Sequence, residues 1–132
     1  MNRSEFLAFA DQTIEKVHIK EMNDDFYVRS LNAGEKAAWE YEAISVENNK
    51  QGSKVNLTKS RMITARERLV EIAVCNQDGS RFFAEGDAAA IGRKNANIVS
   101  TLYDVAARLS GISQEDLEAI SKNSGSETTA VS

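Results

Sequence analysis

The stretch VCNQDGSRFFAE, residues 74–85, carries oxygen-bearing side chains at spacings that suit a hard cation. A calcium loop takes ligands from positions one, three and five, a glycine at six and a glutamate at twelve. With Gly79 at six, Asn76 falls at three, Asp78 at five and Glu85 at twelve. Position one is then Val74, which has no side-chain oxygen, and Arg81 occupies position eight. The missing first ligand favours a tight turn instead. Glycine accepts positive φ, and aspartate bonds the backbone ahead of it.

Other chemistry finds little support. His18 is the single histidine and Cys75 the single cysteine, so the usual ligands for a zinc site within one chain are lacking. A Cys–His nucleophile would need those two residues to meet, and a lone cysteine is more commonly a small core residue. Glycine-rich phosphate loops and the G-x-S-x-G elbow are absent. Asp24 and Asp25 lie in a turn, and Glu115, Asp116 and Glu118 cluster at a helix start, where the dipole favours acids. These features imply a protein that is not an enzyme and uses no cofactor or metal. Trp39 reads as a core anchor.

The elements that position these residues belong to a chain of 132 residues, 42% hydrophobic. That suits one domain able to bury most of its apolar surface without a staple. Residues 1–123 are expected to form it, and 124–132 (SGSETTAVS) have the composition of a disordered tail. No apolar run is long enough to span a membrane. The N-terminus does not read as a signal peptide, so the cytoplasm is the expected compartment. A net charge of −4 disfavours nucleic acid. One basic stretch runs against this balance: Lys50, Lys54, Lys59, Arg61, Arg66 and Arg68 stand against Glu67 alone.

Ser4 is positioned to cap a short helix bearing Phe6, Leu7 and Phe9. Ile14, Val17 and Ile19 predict a strand over 13–20, with His18 facing away from the core. EMNDD predicts a turn, and 26–30 a second strand. Asn32 and Glu35 have capping-box spacing for a helix whose Ala37, Tyr41 and Ile44 share a face. Thr64 and Glu67 repeat that spacing, yet Val70, Ile72 and Val74 alternate as in a strand, so 69–75 is read as a strand joining the hairpin, with a helix as the alternative. Phe82 and Phe83 are assigned to the core, and a small helix to 85–91. Ile98, Leu102, Val105 and Leu109 mark an amphipathic helix over 97–110 that buries Leu102 and Val105. Ser113 opens a last helix, with Ile112 and Leu117 as its hydrophobic staple. The fold class is α+β: a small antiparallel sheet, made of an N-terminal hairpin and a central strand, packed against several helices.

The order of pieces resembles the tail assembly chaperones of long-tailed bacteriophages. FLAFAD, then YVRSLNAGEKAAWE, LVEIAVCNQDGSRFF and LYDVAARLSGISQEDLE carry the resemblance, up to about Ser121. Many members place Pro and Trp in the first hairpin turn, where this chain has EMNDD. The resemblance implies a non-enzymatic helper of virion assembly that binds the tape measure protein and keeps it soluble. It further implies recruitment of the major tail tube protein, residence in the host cytoplasm and absence from the mature virion. A frameshifted longer form would attach at the polar tail.

A holdase needs exposed apolar surface, so Phe6, Leu7 and Phe9 are candidate partner-binding residues, with Lys59, Arg61 and Arg66 of the basic stretch. The alternative reading is a small cytoplasmic adaptor that docks acidic protein or nucleic acid through residues 50–68. Self-association stays open beside either reading.

Overall fold

β-branched Ile14, Val17 and Ile19 form the first predicted strand in the computed structural model, which describes residues 1–48 and 65–113 (the side chains of 43–48 excepted). Strand β1 is Ile14–Ile19 and β2 is Asp24–Arg29, paired antiparallel with Val17 opposite Phe26. Side-chain alternation buries Val17 and Ile19 and turns His18 outward. There His18 Nδ1 lies 2.8 Å from Asp25 Oδ1, and Lys16 Nζ is 3.4 Å from the same carboxylate. The turn between the strands places Asn23 at φ 50°, a conformation that asparagine tolerates.

Helix α1, Arg3–Ala8, starts two residues earlier than the Ser4 cap would set it. Asn2 is the cap, in a reciprocal box with Glu5: Glu5 N donates to Asn2 Oδ1 at 2.9 Å and Asn2 N to Glu5 Oε1 at 3.0 Å. Helix α2, Ala33–Asn48, opens on the expected box between Asn32 and Glu35. Its inner face differs from the prediction. Tyr41 is 73% exposed and Ala37 is exposed, while Trp39 is buried and donates from Nε1 to Ala65 O at 2.9 Å. Polar Glu35 and Lys36 share the Trp39 side because each finds a partner there. Arg29 forks onto both Glu35 oxygens at 2.8 Å, and Lys36 Nζ reaches Gly111 O. Ile44 falls among the undescribed side chains.

The expectation of a strand over 69–75 is corrected. Helix α3 runs Ala65–Ala73 and only Val74–Cys75 form β3. β3 pairs antiparallel with β2, Val28 opposite Val74, to give the order β1-β2-β3. Leu69, Val70, Glu71 and Ala73 are all buried, so the second half of α3 shows no exposed polar face, and its β-branched residues mimic a strand. The predicted helix over 85–91 shortens to α4, Ala88–Ile91, with a turn before it.

Helix α5, Ala96–Leu109, is the predicted amphipathic element. Asn95 caps it through bonds from Asn97 N and Ile98 N. Ile98, Leu102, Tyr103, Ala106 and Ala107 are buried on it, whereas Val105 is only partly buried. It ends in a Schellman motif: Ile112 N bonds Ala107 O, Gly111 N bonds Arg108 O, and Gly111 sits at φ 72°. Helices α3 and α5 cover one face of the sheet, and Val28, Leu69, Val70 and Val74 meet at the centre with no exposure. The last helix, Lys59, Arg61 and the tail from Ser124 lie outside the described residues.

Candidate functional site

Phe82 and Phe83 follow a turn that fixes where they emerge. Gly79 has φ 90°, its N–H donates to Asn76 O at 2.9 Å, and Asp78 Oδ1 accepts from Ser80 N and Ser80 Oγ at 2.9 and 2.6 Å. These bonds hold the Asp78 carboxyl below the usual carboxylate range. Asn76 Nδ2 donates to Ser80 Oγ and Arg81 O. The turn reading of this stretch is therefore met, with Asp78 Oδ1 engaged inside the loop.

Past the turn, Glu71 ties the chain down. This carboxylate on α3 has no exposure, yet it accepts from four donors: Arg68 Nη1, Arg81 Nη2, Gly86 N and Ala88 N, the last at 2.9 Å. It satisfies the start of α4 and two guanidinium groups, which compensates for removing its charge from water. Residues 81–88 are thus pinned to α3 at both ends, and between them Phe82 is presented outward while Phe83 packs against the core.

The expectation that both belong to the core is corrected for Phe82, whereas Phe83 packs against the core. Phe82 is 47% exposed and Phe83 partly buried. Phe82 meets Phe26 edge-on at 5.9 Å and Phe83 at 4.9 Å. These aromatic rings line an open groove of about 350 Å³, which Met22, Ala90 and Val99 line as well. Asp87 and Lys94 add one charge of each sign. Met22 is 46% exposed although apolar, and an apolar side chain within the turn EMNDD was the signal in the sequence for this edge.

A second exposed apolar surface lies on α1. Phe6 is 70% exposed, Leu7 63% and Phe9 63%, and no residue from 1 to 14 is buried. Arg66 projects from α3 with its guanidinium carbon 5.0 Å from the centre of the Tyr103 ring. The Tyr103 hydroxyl is buried without a hydrogen-bond partner among the described residues, and burial pushes its pKa up to about 12. Arg68 is committed to Glu42 and Glu71 and so is not a free basic group. Among the candidate partner-binding residues, Arg66 on α3 stands against Tyr103 and the phenylalanines stand at α1.

A nucleophilic role for Cys75 finds no support. The thiol is buried, burial raises its pKa, and His18 Nδ1 is engaged by Asp25. No group of three or more His, Cys, Asp or Glu residues converges as a metal site among the described residues.

Geometry and fold together define a small α+β fold with an open apolar groove and an exposed apolar terminal helix. Its fold is shared with a solved structure, the bacteriophage HK97 tail assembly chaperone: TM-score 0.54, 17% identity, 80% of this chain and 95% of that one. The tail-assembly-chaperone resemblance carried by the sequence motifs is thus met at the level of the fold. The sequence matches no protein-family model and no curated protein.

Proposed function

We propose that this chain is a non-enzymatic phage tail assembly chaperone, which binds the tape measure protein, keeps it soluble and helps recruit the major tail tube protein. The observation that carries the reading is the coincidence of the HK97 tail assembly chaperone fold with two exposed apolar surfaces, the Phe82 groove and the α1 side chains. A holdase must offer apolar area to a client helix and must later release it. A shallow groove of this size suits both needs, because modest buried area gives modest affinity. The setting for this role is the host cytoplasm, with the protein absent from the finished particle. Among the described residues no helix is long and apolar enough to cross a membrane.

The adaptor reading is the weaker one. It requires a free basic face, and Arg68 at the end of the 50–68 stretch is held by two carboxylates of its own chain. Co-expression with the cognate tape measure protein tests the proposal. The client should stay in the soluble fraction with this chain and precipitate without it, and Phe82→Asp should abolish the rescue. Equal precipitation in both cases would remove the chaperone reading. Oligonucleotide binding that weakens steeply with salt would instead support the adaptor.

A further inference from the structure

We propose that a pocket of about 270 Å³ between the first turn of α3 and the start of α5 binds a single carboxylate group, held between Arg66 and Lys94. Its wall brings together two cations distant in sequence, Arg66 from α3 and Lys94 from the turn before α5. Ala96, the first residue of α5, and the Ser100 hydroxyl line it beside them. Neither cation is neutralised within the chain. Arg66 lies over the Tyr103 ring, 5.0 Å from its centre, and neither Arg66 nor Lys94 forms an ion pair with another described residue. By contrast, Arg29, Arg68, Arg81 and Arg108 each hold a carboxylate of their own chain. Arg66 is free to hold one from outside.

A second observation points the same way. Tyr103, 2% exposed, lines this pocket, and its hydroxyl has no hydrogen-bond partner among the described residues. Buried polar groups without a partner are few in folded proteins. A bound carboxylate supplies the acceptor this hydroxyl lacks, and bonds to an ionised acceptor are the strong ones. The N-terminal end of α5 adds a potential that favours negative charge. Charge also sets the class of ligand. Arg66 and Lys94 stand against Glu67 in the same wall, two positive charges against one negative, which leaves one positive charge in excess. That balance matches a carboxylate, with its single negative charge, better than a phosphate group carrying about −1.5 to −2 at pH 7. A free small carboxylate and an acidic side chain of a bound polypeptide present the same group. This inference goes beyond the chaperone proposal and does not depend on it, since no client enters the measurement.

The test is an NMR titration of the full chain with acetate at constant ionic strength, acetate replacing chloride. Saturable shifts of the Ala96, Ser100 and Tyr103 amides are expected. Arg66→Gln/Lys94→Gln should weaken binding by about tenfold or more, the loss of two charge-assisted contacts. Arg3→Gln/Arg93→Gln removes the same charge from exposed positions outside the pocket and should leave binding unchanged. Tyr103→Phe should weaken binding by about threefold or more without lowering the melting temperature, because it deletes a donor that has no partner in the free protein. A capped peptide bearing one glutamate separates the two sources. Tighter binding than acetate assigns the site to a polypeptide partner, and equal or weaker binding assigns it to a free carboxylate. Shifts that never saturate, or that both double variants reduce equally, would mean an adventitious ion only and overturn the proposal. Inorganic phosphate binding more tightly than acetate would overturn the carboxylate assignment, and wild-type binding by Tyr103→Phe would remove the hydroxyl from the site.

Discussion

Leu69 and Phe82 lie thirteen residues apart in the chain and meet opposite fates: Leu69 has no exposure, Phe82 is 47% exposed. Both follow helix- or strand-forming runs, and both are large apolar residues. The difference lies in what holds the backbone. Leu69 stands on a helix enclosed by the sheet and by α5, so packing decides its direction. Phe82 stands on an irregular segment whose direction is decided by polar groups, the Asp78–Gly79 turn and the Glu71 carboxylate. Hydrophobicity alone does not send a side chain inward when hydrogen bonds have already fixed the path of its backbone.

The sharpest way to break this contrast is Glu71→Ala. It strands two backbone N–H groups and two guanidinium groups, so it should cost ~3–5 kcal/mol, as removing one partner of a buried ionic network does. It should also release residues 81–88. Denaturant unfolding measures the first effect, and faster amide exchange at Gly86 and Ala88 the second. If exchange there is unchanged, the polar groups do not set the groove wall.

Leu69→Ala is the matching change on the packed side, with an expected loss of ~2–5 kcal/mol from transfer and cavity terms. It should leave exchange in the 81–88 segment in proportion to global stability, with no selective loosening. Equal behaviour of the two variants would erase the distinction.

Gly79→Val should cost ~1 kcal/mol or more, because φ 90° is strained for any side chain and a Cβ would lie 3.1 Å from Gln12 Oε1. A smaller loss would mean that the turn relaxes without moving Phe82.

These contrasts also explain what was legible in the sequence. The hairpin, the Asn32–Glu35 box and the α5 helix with its glycine stop are local signals, and each is met by local geometry. Asp78-Gly79 belongs with them. The strand assigned to 69–75 failed because α3 from Leu69 onward is buried on several sides and shows no exposed polar face, so only alternation remained to be read there. The face of α2 was misplaced because Glu35 and Lys36 turn inward to partners, Arg29 and Gly111, that are distant in sequence or on another element. Apart from Met22, the groove was illegible for the same reason: Glu71 lies 15 and 17 residues from the amides it holds.

The ion pair beneath α2 gives a pH-dependent comparison with Glu71. The Arg29 fork, with the Asn32 amide, holds the Glu35 carboxyl below its ordinary value of 4.5. A depressed folded-state pKa stabilises the fold above the unfolded value, and that contribution is lost as pH falls through the folded one. Stability should therefore decline below about pH 4.5. Glu35→Gln should flatten that decline, measured as melting temperature against pH. An unchanged slope would assign the acid sensitivity to other carboxylates.

The smallest stability effect is expected where the exposed apolar area is largest. Phe6 is 70% exposed on a helix that buries nothing, so Phe6→Ser removes no core contact and should shift unfolding by no more than ~0.5 kcal/mol. Leu69→Ala, changing a residue of the same general character, is expected to cost several times more. The two results together separate apolar residues that hold this fold from those that face a partner. Stability near wild type combined with lost client rescue would place Phe6 in the second class. A loss of more than ~1 kcal/mol would mean that α1 packs on the domain in solution, and the arm would then belong to the core.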